Sequence, residues 1–311
     1  MDKSSRILVL GHRGLLGGAI HLKLAQLGYA PRSGGRVQTL AQALGNIDNA
    51  EYVFMAGGVG GGIAKNLAAP ADLALLTMRM LSSVLAGAWE RDVKRLIWFA
   101  CACIYPRSPR ASPESDLWAG GLEPTSRAFA AATLAGIELT RACNQQYGTE
   151  FVALCPPTLY GCGDDFSEHG HVLAAMVRKC HEAKVAGAPT VTFWGSGRQR
   201  RQFLYVEDLA AVAIEVMRAD EFVAWAPLLN VTGEPARPLA EVAQIVAEVV
   251  GYEGRIQWDG TQPEGAPAKE ILGGREPAFM PTPLEVGLKR TYEWYVARVL
   301  PGAGKNAAEA S

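Results

Sequence analysis

The 311-residue chain lacks an excess of either charge: 30 Lys and Arg stand against 31 Asp and Glu, a formal net charge of −1. A surface built to hold a polyanion carries a clear basic surplus, so no nucleic-acid partner is expected. It also lacks any run approaching the ~20 uninterrupted apolar residues of a membrane span. The opening run Ile7-Leu8-Val9-Leu10 is too short for a signal-peptide core and leads into glycines instead of a cleavage site. A cytoplasmic protein without membrane attachment is the expectation. Six cysteines at irregular spacings make no disulfide framework. Only Cys101-Ala102-Cys103 forms a close pair, and no second pair or His pair stands at ligand spacing, so no metal site is expected.

What is present suits a globular enzyme: 49% apolar and 20% charged residues, in a length that holds one large domain or two modest ones. Strands are expected over 6–10, weakly over 29–32, and over 51–56, 95–99, 151–155, 202–206 and 228–231. Helices are expected over about 18–27, after Pro70 (Leu73, Leu76, Met80 and Val84 at helical spacing), and over 127–147, 172–185, 207–217 and 239–250. Such alternation predicts an α/β fold with a doubly wound parallel sheet, its ligands beyond the carboxyl ends of the strands. The pattern loosens after Tyr160-Gly161. The expected division is a dinucleotide-binding Rossmann domain from 1–160 and 201–233, and a smaller C-terminal α/β substrate domain from 161–200 and 234–311. The Gly/Ala-rich tail from Pro301 is expected to fray.

The turn Gly11-His12-Arg13-Gly14-Leu15-Leu16-Gly17 follows a strand and opens a helix, the context a dinucleotide site requires. Gly11 permits the sharp turn, Gly14 close approach of a pyrophosphate, and Gly17 tight helix–strand packing. Ala56 and Gly57, where the strand over 51–56 ends, join the expected cofactor contacts. The alternative is a glycine turn kept for packing alone. No Asp or Glu ends the second strand to hold the ribose 2′-hydroxyl of NAD. Arg13, Arg32 and Arg36 stand nearby instead, which suits the 2′-phosphate of NADP.

These residues, with Cys103-Ile104-Tyr105-Pro106, Asn144-Gln145-Gln146-Tyr147-Gly148, Trp194-Gly195-Ser196-Gly197, Phe203-Leu204-Tyr205-Val206-Glu207-Asp208 and Asn230-Val231-Thr232-Gly233, resemble the GDP-L-fucose synthases. The matching segments run in order from about residue 6 to 296. The resemblance implies an extended short-chain dehydrogenase fold, NADP(H), a nucleotide-linked sugar (GDP favoured), and a homodimer built on the helices after Pro70 and over 127–147. In that family a Ser and a Tyr-x-x-x-Lys pair reduce a 4-keto-sugar, after a Cys and a His have epimerised it. By resemblance the Ser position is Cys101, the Tyr position Phe129 and the Lys position Thr133, so all three reductive residues are changed.

The epimerisation residues fall on Cys103 and His171, and both are present. A thiol of pKa about 8.5 and an imidazole of about 6.5 can act as base and acid beside a carbonyl at neutral pH. Cys101 and Thr133 are candidate replacement donors. Arg178, Trp194, Arg201 and Lys269 correspond to residues that clamp the nucleotide diphosphate, and Thr158 replaces an Asn that touches the sugar. The leading expectation is an isomerase that moves protons without net hydride, with NADP(H) structural or vestigial; a dehydration would use the same residues. A non-catalytic binding protein is the second reading. A reductase using Cys101 is the third, weakened because the sequence offers that thiol no neighbouring cation.

Overall fold

The computed structural model describes residues 1–300 apart from 36, 59–61, 109, 169 and 263–264. Arg36, part of the glycine run at 57–62 and the tail from Pro301 therefore lie outside the described residues. The first half alternates strand and helix. β1 (Ile7–Leu10) leads to α1 (Leu15–Gln26), β2 (Arg32–Gly34) to α2 (Leu40–Ile47), and β3 (Tyr52–Met55) to a short α3 (Ile63–Ala68) and the long α4 (Pro70–Glu90). β4 (Arg95–Phe99), α5 (Arg127–Tyr147) and β5 (Phe151–Cys155) follow. The second half uses shorter pieces: β6 (Thr158–Tyr160), α6 (Val172–Val185), β7 (Thr190–Trp194), β8 (Arg200–Arg201), β9 (Phe203–Tyr205), α7 (Val206–Arg218) and β10 (Leu228–Asn230). β11 (Arg237–Pro238), α8 (Leu239–Val250), β12 (Arg255–Asp259), β13 (Ala268–Lys269) and α9 (Leu284–Trp294) complete it.

Six strands form one sheet in the order β10-β5-β4-β3-β1-β2, with every pair parallel. β1 and β5 are buried at every position, as strands covered on both faces must be. The pleat divides β1 between two cores. Leu8 and Leu10 join Ala43, Leu81, Val84 and Ile137 from α2, α4 and α5. Ile7 and Val9 join Ile20 from α1 and Leu209 and Val212 from α7. The chain turns outward from β1 to β2 and returns to β3, so the loops after β1 and β3 flank the switch point where such sheets hold ligands. A third apolar cluster gathers Leu173 and Val177 of α6, Phe193 of β7, Val242 and Val246 of α8 and Leu288 of α9.

Some boundaries differ from expectation. α1 starts at Leu15 because Gly14 is its N-cap. The second strand lies over 32–34, not 29–32, because Gly28 and Tyr29 donate their N–H groups back to Ala25 and Leu24 and so finish the helix. α2, β7 and α9 have no counterpart among the expected elements. α4 is the one described helix long and apolar enough to cross a membrane, with a mean hydropathy of 1.3. Its Leu81, Val84 and Leu85 are buried in the core, which accounts for its apolar content.

Candidate active site

The glycine turn fits a dinucleotide pyrophosphate. Gly11 has φ +82°, and a Cβ there would lie 2.3 Å from the Gly57 nitrogen; on Gly17 it would lie 2.1 Å from the Gly11 oxygen. Packing therefore requires both. At Gly14 the nearest atom would be the Gly11 oxygen at 3.5 Å, so among the described residues nothing fills the space above it. Gly14 caps α1 without a side-chain hydrogen bond, and the first turn carries no acidic residue. The first N–H groups and the positive end of the helix are thus left for an anion. His12 Nδ1 beside them is buried without a partner. Leu15 is partly buried and Leu16 buried, packing the start of α1 onto the sheet. Ala56 donates to the Leu10 carbonyl at 3.0 Å, fastening the second loop to the first.

The cationic residues divide. Arg32 is committed to the end of α2, donating to the carbonyls of Asn46 (2.9 Å) and Asp48 (2.6 Å). Arg13 is exposed and has no hydrogen-bond or ion-pair partner among the described residues, which do not include Arg36.

β4 ends in the cysteine segment. Ala100 still pairs with Leu154, after which Cys101 caps a tight turn over Ala102–Ile104 and accepts from the Ile104 N–H at 3.2 Å. The turn sets Cys101 and Cys103 one residue apart beyond the end of β4. Cys101 is half-buried, whereas Cys103 is only 7% exposed. Contact with Cys103, aided by the Lys269 ammonium and Thr133, holds the Cys101 thiol below its ordinary range despite burial. The same contact, with burial, pushes Cys103 well up. Within the pair Cys101 is therefore the thiol held lower and Cys103 the one pushed up. The charge of Lys269, a cation that the residues around Cys101 in sequence do not supply, contributes to that lowering. Thr133 is buried, and its hydroxyl donates to the Phe129 carbonyl at 2.9 Å, one helical turn back. The nearby Tyr105 offers no substitute donor, because its hydroxyl is committed to Asn230 at 2.7 Å.

Lys269 arrives from a distant segment that is tied down at several points. β13 runs parallel to β8 with Lys269 opposite Arg201, so the two cationic side chains leave the same face. Arg201 donates to the carbonyls of Arg200 and Ala266, both at 2.8 Å. Burial lowers its pKa, with Glu123 opposing that effect. Downstream, Ser112 donates to the Glu270 carbonyl at 3.0 Å, and Asn230 donates to the carbonyls of Ser112 (3.2 Å) and Leu272 (3.0 Å) while holding Tyr105. Asn230, fully buried at the end of β10, thus joins the cysteine segment to the strap over 266–272. The polar atoms of one side chain thus fasten the strap that carries Lys269.

His171 caps α6 and is half exposed. Its Nδ1 lies 3.6 Å from the buried carboxylate of Asp164, which raises the imidazole pKa. Among the described residues no hydrogen bond joins His171 to Cys103. Asp164 went unmarked in the sequence, where only its place seven residues before a histidine could have signalled it. The remaining expected clamps are separate. Arg178 pairs along α6 with both oxygens of Glu182, at 2.9 and 3.0 Å. Trp194 ends β7 and is 54% exposed. Thr158 begins β6 and donates its backbone N–H to Gln202. Among the described residues no cluster of His, Cys, Asp and Glu could hold a metal ion.

This architecture and these motifs have known counterparts. The model of the NAD dependent epimerase/dehydratase family matches residues 7–226. GDP-L-fucose synthase 1 of Arabidopsis thaliana is 36% identical over 310 residues, covering 96% of this chain and 95% of that protein. Among solved structures, a GDP-6-OMe-4-keto-L-xylo-heptose reductase from C. jejuni superposes with a TM-score of 0.86 at 25% identity, covering 96% of this chain and 99% of that one. A GDP-mannoheptose C4 reductase from Campylobacter jejuni with NADP bound gives 0.83 at 25% identity, covering 95% and 99%. The chain belongs to the NAD dependent epimerase/dehydratase family, as a GDP-L-fucose synthase-like member in which Phe and Thr stand at the positions of the catalytic Tyr and Lys.

Proposed function

We propose that the protein is a GDP-keto-sugar isomerase that transfers protons next to the sugar carbonyl without net hydride transfer. The observation that carries this is the paired change around Cys101. By resemblance a Phe and a buried Thr occupy the helix turn of the hydride relay, while Cys101 and Cys103 on the turn after β4 and His171 beside Asp164 are retained. A GDP-linked substrate is favoured because the relatives' names specify GDP-sugars.

In this reading the Cys101 thiolate removes the proton on the carbon beside the carbonyl. The C–H electrons move into the carbonyl, giving an enolate whose oxygen is met by Lys269. Return of a proton to the opposite face from His171, charged by Asp164, gives the epimer with no change in atoms. Cys101, now a thiol, then gives its proton to solvent and His171, now neutral, takes one up, which restores the starting state. Arg201, Trp194 and Thr158 would contact the substrate, and Arg178 would do so once released from Glu182. When bound, NADP(H) supplies a nicotinamide able to exchange hydride; Gly11 to Gly17, Arg13, Ala56 and Gly57 would hold it.

Solvent exchange tests this directly. Deuterium from heavy water should enter a GDP-4-keto-6-deoxy-sugar beside its carbonyl, and Cys101→Ser or His171→Asn should abolish uptake. No uptake with any GDP-keto-sugar would instead support a binding protein, which the intact glycine cradle beside an altered helix also favours. NADPH oxidation with the same sugar would promote the reductase reading, since Lys269 supplies the cation that reading needs. A homodimer is proposed from the outer faces of α4 and α5, where Leu75, Met78 and Leu139 are exposed; light scattering would measure it.

A further inference from the structure

The connection from β6 to α6, described over 161–168 and 170–171, carries both members of the Asp164–His171 pair and contains no helix or strand. We propose that Phe166 is the positioning residue of this connection: its ring, seated on the end of α9, keeps Asp164 beside His171. The consequence for proton transfer rests on the function proposed above; the placement of the pair does not.

Asp164 is poorly held by its own contacts. Its side chain is 3% exposed, and its Oδ1 accepts from the Asp165 N–H at 2.8 Å and lies 3.6 Å from His171 Nδ1. Its Oδ2 is buried with no hydrogen-bond partner among the described residues. A buried carboxylate with one oxygen idle is unfavourable where it stands, so another group must hold the chain there. Gly170, with no room for a Cβ against the Asp165 carbonyl, turns the chain back so that His171 reaches Asp164.

Phe166 is the group placed to do this. It is buried between the exposed residues Asp165 and Ser167, and among the described residues it is the one apolar side chain between Asp164 and His171. Its ring centroid lies 4.5 Å from that of Tyr295 and 6.2 Å from that of Trp294. Tyr295 opens a wide π-type turn that extends α9, and His181 of α6 braces it edge-on at 5.5 Å. The other fastenings are slighter and precede Asp164. The Cys162 sulfur is 3.7 Å from the Tyr205 hydroxyl and 3.8 Å from the Arg290 carbonyl, and a Cβ on Gly163 would only touch Leu15, at 3.9 Å.

Proton NMR titration of the His171 imidazole in the full-length protein, assigned by its loss in His171→Asn, reads the placement of the pair. Deuterium uptake by a GDP-4-keto-6-deoxy-sugar reads its use. In Phe166→Ala the titration should fall toward the ordinary imidazole value, because the carboxylate that raises it is no longer held close. The kcat for exchange should drop roughly 10- to 100-fold with KM held within about twofold, the mark of lost positioning. Phe166→Leu keeps the apolar anchor and should stay within about threefold of the unaltered protein. Tyr295→Leu loosens the same contact from the opposite side and should move the titration the same way, which carries the test if Phe166→Ala does not fold. Val246→Ala hollows the same apolar cluster from α8, and it should lower Tm without moving the titration. An unmoved titration in the Phe166 and Tyr295 variants, or an equal shift in Val246→Ala, would overturn the proposal. If the titration falls in a protein that never exchanges deuterium, the isomerase reading fails and the positioning stands. If exchange occurs and Phe166→Ala neither slows it nor moves the titration, only the positioning fails.

Discussion

The turn after β1 and the segment after β4 leave the same edge of one sheet, yet different physics holds each to its residues. At the glycine turn the backbone itself is the constraint. Added carbons at Gly11 or Gly17 would sit inside neighbouring main-chain atoms, so the turn cannot change without moving the sheet. Around the cysteine segment the constraint is chemical. Phe129 continues α5 as well as a tyrosine would, and Thr133 satisfies its own hydroxyl on the preceding turn. In the proposed reading, a relay for hydride is thus dismantled while the fold and its glycine turn survive. An intact cradle therefore says less about the reaction than the polar atoms across the pocket.

That contrast can be pressed from the chemical side first. Restoring the relay with Phe129→Tyr and Thr133→Lys together should raise NADPH-dependent reduction of a GDP-4-keto-sugar by roughly 10²–10⁴-fold, read as loss of nicotinamide absorbance. No gain would mean that the cradle no longer presents a cofactor to this pocket. On the backbone side, Gly17→Ala should cost about 2–3 kcal/mol by chemical denaturation. Gly14→Ala should leave stability nearly unchanged while weakening NADP binding several-fold. Equal effects at the two glycines would erase the distinction between packing and ligand approach. Asn230→Ala should cost about 2 kcal/mol, since it orphans buried partners on three segments. It should also slow alkylation of Cys101, because the strap that carries Lys269 loosens.

The smallest expected effect concerns pH. Asp164 raises the His171 pKa, so the protonated imidazole is present at lower pH and is lost as pH climbs through that raised value. Deuterium exchange that needs His171 as acid should fall over the same range. Asp164→Asn should move the fall to lower pH, a change of roughly threefold at neutral pH. A fall that does not move would detach His171 from the reaction.

Much of the fold was legible because its signals are local. Bounds over 95–99, 127–147, 151–155, 172–185 and 239–250 follow directly from apolar periodicity and turn residues, and they are the observed ones. β7 was not, because Thr190–Trp194 alternates buried and exposed residues next to a long helix and pairs with β12 some sixty positions away. The site divided similarly. Cys101, Cys103 and His171 can be named from the chain, but the Asp164 carboxylate that raises the His171 pKa and the charge of Lys269, carried by β13 from far along the sequence, come from the fold. Arg32 is the converse case, a cation beside the right turn that the end of α2 claims for its own carbonyls.

The strap over 266–272 has one more consequence. Its grip on Ser112 and Asn230 makes the charge in the pocket a property of docking rather than of the cysteine segment alone. Whenever those few bonds part, the ammonium departs with them and its lowering of both thiols is lost, although the larger effect of Cys103 on Cys101 remains. The readiness of that sulfur to react therefore gauges, from inside the molecule, how firmly the last third of the chain is seated.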